Sequence, residues 1–212
     1  MAFVDLDDFL ARARLRLDPV TGRERLPEGG DIELLDPAGI TGIRAAAVLV
    51  AIIPRASGPT ALLTRRPDTM ATHAGQVAFP GGKVDPADAD EVEAALREAE
   101  EEVGVDPKRV ELIARGAPYI TGTAFRIVPV IGVLPADFEP IPDPTEVADV
   151  FETPLSFLMS ARNHHRASAV WQGQERHYFE MPYEGHRIWG VTAGIIRALY
   201  ERLYEAGEET AA

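Results

Sequence analysis

Residues 89–103 put two different stripes on one helix, and that pairing constrains the chain more than any other feature. Counting about 100° per residue with Glu98 at zero, Glu101 falls near ~300° and Glu102 near ~40°, so three carboxylates share a face. Glu91, two turns earlier, falls near ~20° and extends that ridge. Val92, Ala95, Leu96, Ala99 and Val103 fall between roughly 60° and 160° on the same count. The apolar stripe must be buried against a sheet or another helix, which leaves the acidic ridge at the rim of a core. Carboxylates at i, i+3 and i+4 repel by ~0.2–0.5 kcal/mol per pair. Those near the C-terminus also oppose the helix dipole. A hard divalent cation among these oxygens removes both penalties. The helix stops at Gly104, a natural C-cap, with Pro107 beyond it. A solvated acidic face is commonplace on acidic proteins, so the surroundings of the helix have to decide its meaning.

Those surroundings read as a mixed fold. Residues 45–54 form an unbroken apolar run with Val and Ile, the pattern of a strand buried on both faces. Ser57, Gly58 and Pro59 mark a turn, and residues 60–65 form the second strand of a hairpin. After a polar loop over 66–76, residues 77–79 read as a short strand stopped by Pro80, Gly81 and Gly82. Glycines there let backbone carbonyls approach a ligand or metal closely. Residues 110–114 and 125–134 look like strands, 135–145 like an acid- and Pro-rich loop, and 155–162 like a short helix. Residues 170–172, 177–181 and 187–189 are expected as short strands, and 191–203 as a final helix. An N-terminal helix is expected over 3–17, followed by a Pro/Gly-rich arm. Strands and helices are mixed without Rossmann-like alternation, which predicts an α+β or layered α/β/α sandwich. The expected division is 1–43 as N-terminal helix and arm, 44–206 as the main domain, and 207–212 as a frayed tail.

Charge and composition exclude several functions. The chain of 212 residues has 34 acidic against 21 basic side chains, a formal charge of -13, so DNA or an anionic membrane is repelled by its overall field. There is no Cys, which excludes disulfides, zinc-thiolate sites and thiol nucleophiles. Neither a signal peptide nor a membrane-length apolar run is present, so a cytoplasmic location is expected.

Residues 97–105, REAEEEVGV, resemble the second half of the Nudix hydrolase signature, G-x5-E-x7-R-E-U-x-E-E-x-G-U, with Ala99 as a small U residue. Counted from Gly82, the family Glu falls on Asp88, and eight residues rather than seven separate it from Arg97. Residues 62–66 and 73–82, LLTRR and HAGQVAFPGG, are similar to the extra signature of the coenzyme A pyrophosphatase branch, as is the extra residue in the box. The stretches 146–155 and 183–193 are similar to that branch as well. Pro67 and Ala71 depart from it, replacing a small residue and a second Arg.

The resemblance implies a Nudix fold, with a mixed sheet between helices, and hydrolysis of the diphosphate bond of coenzyme A or a derivative. It implies Mg2+ or Mn2+ as cofactor, held by Glu98, Glu101, Glu102 and the Gly81 carbonyl. Arg97 would brace the catalytic Glu, and Glu146 is a candidate for an extra acid at the metal site. Arg65, Arg66, Gly81 and Gly82 are the implied substrate contacts, Arg66 foremost because a guanidinium suits phosphate. A homodimer is a further expectation from the family, and neither nucleic acid nor membrane is an expected partner. His73 lies in the signature loop, with structural and catalytic roles both open. His164 and His165 are expected at the surface, and Tyr183 and Trp189 as core or turn residues. Hydrolysis of ADP-ribose, NADH or a nucleotide is the alternative, which Ala71 favours.

Overall fold

The computed structural model describes residues 4–22, 29–30, 42–69, 73–171 and 173–205. The start of the expected N-terminal helix, most of the arm, Ala71 and the tail lie outside the described residues. The first helix, α1 (Leu6–Arg16), is capped by Asp5, has Asp7 and Asp8 in its first turn and ends on Arg14 and Arg16, which matches the helix dipole. A two-residue strand, β1 (Gly29–Gly30), follows. The apolar run becomes β2 (Arg44–Arg55). Ala47, Leu49, Ala51 and Ile53 of β2 join one core, and Val50 and Ile52 the other, as alternation in a doubly covered strand requires. β3 (Gly58–Arg65) returns antiparallel to it, so the expected hairpin is present.

The Pro-Gly-Gly segment does more than stop a strand. β4 (Val77–Ala78) pairs with β3, and then the chain changes partner. Pro80 accepts from the Leu49 amide at 2.8 Å, and β5 (Gly81–Lys83) pairs antiparallel with residues 46–48 of β2. The expectation of a stop is therefore corrected to a switch. A Cβ on Gly81, whose φ is 155°, would collide with the Ala47 carbonyl oxygen, so only glycine lets the strands close there.

α2 (Glu91–Val103) carries the two-stripe pattern. Asp90 caps it by accepting from the Val92 and Glu93 amides at 2.9 and 3.0 Å, and Gly104, with φ 72°, ends it. β6 (Glu111–Arg115), β7 (Tyr119–Ile120) and β8 (Phe125–Val133) come next. β8 runs parallel to β2 from Arg44↔Phe125 to Ile52↔Val133. β9 (Asp149–Pro154), which sequence reading missed, pairs antiparallel with β3. The described residues thus form a nine-stranded mixed sheet.

The C-terminal third departs most from expectation. The helix expected over 155–162 is α3 (Leu155–Leu158) followed by a 3-10 turn, with Asn163 Nδ2 donating to the Phe157 carbonyl, a side-chain bond that competes with the helix. β10 (His165–Trp171), β11 (Gln174–Tyr183) and β12 (His186–Trp189) make a second sheet, longer than the three short strands expected. His164 is not a surface residue: it is buried and edge-on to Tyr200, with Nε2 2.7 Å from the Leu158 carbonyl, a bond that offsets part of the cost of burying the ring. α4 (Val191–Tyr200) closes the chain, extended by a π-turn over 201–205.

Two cores flank the large sheet. Val92, Ala95, Ala99 and Val103 of α2 pack on one face against Leu49, Leu62 and Val130. Phe9, Leu10 and Ala13 of α1 pack with Ile195, Ile196 and Leu199 of α4 on the other face. Helix, mixed sheet and helix form the expected layers, and α1, before the boundary expected at 44, shares its core with α4.

Candidate active site

The apolar stripe of α2 lies flat on β2, so its acidic neighbours meet the strand at the sheet's rim. Gly82 pairs with Ala47 on the face that α2 covers. A Cβ there would sit 2.5 Å from the Glu98 carboxyl carbon, so Gly82 leaves the space into which that carboxylate fits. The Glu102 carboxylate turns further in, with its side chain 5% exposed. The Gly81 amide donates to it, Arg66 Nη1 stands 4.0 Å from Oε1, and Oε2 is buried with no hydrogen-bond partner. Burial drives the Glu102 carboxyl up to about 8, against the pull of Arg66. Burial also raises the Glu98 carboxyl, against the pull of Arg97.

Arg97 organises the outer side of this pocket. Its Nε and Nη2 donate to the two Asp88 carboxylate oxygens at 2.9 and 3.0 Å. Nη1 donates to Glu98 at 3.1 Å and Glu101 at 3.2 Å, and Nη2 also reaches the Lys83 carbonyl at 3.1 Å. Hydrogen bonding to Arg97 holds the Asp88 carboxyl below its ordinary range, and Asp88 is the foremost cause of the raised guanidinium pKa of Arg97. Asp88 is a positioning residue that the sequence pattern alone does not single out. The signal for it was the displaced family Glu, and the shorter side chain with its extra backbone residue still delivers a two-oxygen grip on Arg97.

The remaining candidates divide. Glu101 is mostly exposed and faces Arg97. Glu91 leaves the ridge electrostatically, since it pairs with Arg126 at 2.9 Å. Glu146 is exposed, and its charge adds a small push to the burial that raises the carboxyls of Glu98 and Glu102. Its loop is pinned to the end of α2 by the Ile141 and Asp143 amides, which donate to the Val103 and Glu102 carbonyls at 2.9 Å each. Arg66, just past β3, faces Glu102, whereas Arg65, the last residue of β3, pairs with Asp68 at 3.1 Å. His73, with φ 58°, is held in a turn by Gln76 at 2.7 Å. Tyr183 tilts against Phe157, and Trp189 meets Tyr178 edge-on, as expected of packing residues.

Among the described residues, no three His, Asp or Glu groups are drawn together as a ready-made metal cage. The donor set nonetheless fits a hard divalent cation: oxygen ligands, two carboxyls lifted by burial, and one buried carboxylate oxygen without a partner. Among the described residues, no helix is long and apolar enough to cross a membrane.

Comparison with known proteins shows the family and the fold. The family model described as NUDIX domain matches residues 43–172. A protein of Escherichia coli K12 named "Uncharacterized Nudix hydrolase NudL" is 41% identical over 194 residues, covering 92% of this chain and 92% of its own. Its namesake in Photorhabdus laumondii is 38% identical over 200 residues, covering 94% of this chain and 98% of its own. Among solved structures, a Nudix hydrolase from M. smegmatis, RenU, matches with a TM-score of 0.50 at 19% identity, covering 80% of this chain and 88% of its own.

Proposed function

The chain belongs to the Nudix family, and from that premise we propose that it hydrolyses the diphosphate bond of coenzyme A, or of an acyl or oxidised derivative, to 3',5'-ADP and a 4'-phosphopantetheine. The observation that carries the reading is the buried Glu102 carboxylate, with an unpartnered oxygen, between Glu98 and the Arg66 guanidinium. Such a pocket disfavours its own charge and so favours a cation, and a cation beside Arg66 favours a phosphate. The similarity of residues 62–82 to the coenzyme A pyrophosphatase signature supports the substrate.

Hydrolysis of a phosphoanhydride needs an in-line water, neutralised non-bridging oxygens and a stabilised leaving phosphate. Bound Mg2+ or Mn2+ supplies positive charge and acidifies water; Glu98 and Glu102 would hold it, with Glu101 and the Gly81 carbonyl beside them. Arg66 grips a phosphate oxygen by charge-assisted hydrogen bonds. Arg97, fixed by Asp88, keeps the Glu98 carboxylate in one orientation. As water attacks phosphorus and the bridging P–O bond breaks, the released proton passes to a carboxylate oxygen of this cluster. Glu146 is the member that neither burial nor Arg97 occupies.

A second reading, hydrolysis of ADP-ribose, NADH or a nucleotide, is favoured by Ala71, which stands where the branch has an Arg. Turnover with Mg2+ against coenzyme A, its 3'-dephospho form, ADP-ribose, NADH and dATP separates the two. Coenzyme A is expected to be cleaved fastest. Cleavage of ADP-ribose without coenzyme A replaces the first reading by the second, and inertness toward all five refutes both.

A further inference from the structure

The hairpin of β10 and β11 projects beyond the two cores, and its outer strand lacks a neighbour among the described residues. Arg166, Ser168, Ala169 and Val170 of β10 and Glu175 and His177 of β11 are exposed, with Val170 76% accessible. An isolated two-stranded hairpin is marginal in water. Natural edge strands are usually blunted by charged side chains, Pro or a bulge. β10, with sequence HRASAVW, has no Pro and Arg166 as its one formal charge, and its register with β11 runs unbroken from His165↔Glu180 to Trp171↔Gln174.

We propose that this edge is an interface at which a second copy of the chain adds its own β10, antiparallel about Ser168. The geometry suits self-pairing. Trp171 and Gln174 close a two-residue connection, and such a closing pair exchanges its backbone hydrogen bonds across the hairpin. By alternation, Arg166, Ser168 and Val170 turn their N–H and C=O groups outward. A twofold axis through Ser168 then sets Ser168 opposite itself, Ala167 opposite Ala169, and Arg166 opposite Val170. The central side chains are small, so the strands meet without obstruction.

Charge makes the contact self-complementary. Val170 is in register with Glu175, on the same face. Arg166 of one copy would lay its aliphatic stem over the other copy's exposed Val170. Its guanidinium would then reach Glu175 one strand further, about 10 Å from its own strand. Symmetry makes this exchange twice. Two chains of formal charge -13 repel over most of their surfaces. Residues 165–183 carry Arg166 and Arg176 against Glu175 and Glu180, so the hairpin is formally neutral in a strongly acidic chain and is a face where that repulsion is relieved.

Sedimentation of the full chain across micromolar concentrations tests this, with circular dichroism as the control for folding. The wild type is expected to dimerise reversibly. Arg166→Glu should weaken the dimer by about tenfold or more, since it turns both cross-strand attractions into repulsions. Combining it with Glu175→Arg should restore the dimer. Ser168→Pro should abolish it, because it removes an outward N–H and leaves the ladder to β11 intact. The Ser168 amide should be protected from hydrogen exchange only at dimer-forming concentrations. A monomeric wild type overturns the proposal, as does a dimer indifferent to Arg166→Glu and Ser168→Pro. Failure of the double charge swap to restore the dimer overturns the register.

Discussion

Glu102→Gln is expected to separate stability from catalysis, and the direction follows from the burial of the carboxylate. With its carboxyl raised from 4.5 to about 8, folded Glu102 keeps its proton across a range in which the unfolded chain has lost it. More protons are bound in the native state, so stability falls as pH rises from about 4.5 through 8. Neutral Gln carries no such slope. In chelator, the stability of Glu102→Gln relative to wild type should therefore grow by roughly 2–4 kcal/mol between about pH 5 and 8. A constant offset of about 1–3 kcal/mol is expected from the Gln amide meeting the site where Oε2 had no partner. That offset does not vary with pH, so the slope of the difference is the diagnostic. Urea unfolding at several pH values, followed by circular dichroism, measures it. Saturating Mg2+ or Mn2+ should stabilise wild type and flatten the difference, because the cation binds only the folded chain. A difference independent of pH in chelator would refute the claim that burial holds a proton on Glu102.

Three further outcomes are expected. Glu98→Gln and Glu102→Gln should each lower kcat by ~10²–10⁴ at saturating Mg2+ while keeping the fold, whereas Glu93→Gln, an exposed residue on the same helix, should be nearly silent. Gly82→Ala should cost activity with little loss of stability, because its Cβ displaces the flexible Glu98 carboxylate rather than backbone; a variant of full activity would place the reacting centre elsewhere. Arg66→Ala should lose roughly ten- to a hundredfold in kcat/KM, equally for coenzyme A and its dephospho form, since Arg66 faces the buried Glu102 carboxylate; a loss confined to coenzyme A would assign it to the 3'-phosphate instead.

The sequence by itself determined the acidic helix α2. Its period of 3.6 fixes which residues share a face, so the acidic ridge, the apolar stripe and the Gly104 stop were legible from local pattern alone, as were the β2–β3 hairpin and the layered class. Only the tertiary structure decided what each carboxylate meets. Glu91 and Glu98 lie on one face by angular count, yet Arg126, brought from β8, takes the first and leaves the second to Arg97. Adjacent Arg65 and Arg66 read alike in sequence, but at the end of β3 one pairs with Asp68 and the other faces Glu102. Residues 81–83 read as the end of a strand, because a backbone change of partner from β3 to β2 leaves no local periodicity to detect. His164 likewise gave no signal, since the Leu158 carbonyl that lets it be buried is oriented by the end of α3 and the packing of α4. Local pattern records the preferences of a segment for one face or another; the partner that satisfies a buried charge or donor comes from a distant segment, and only the folded packing supplies it.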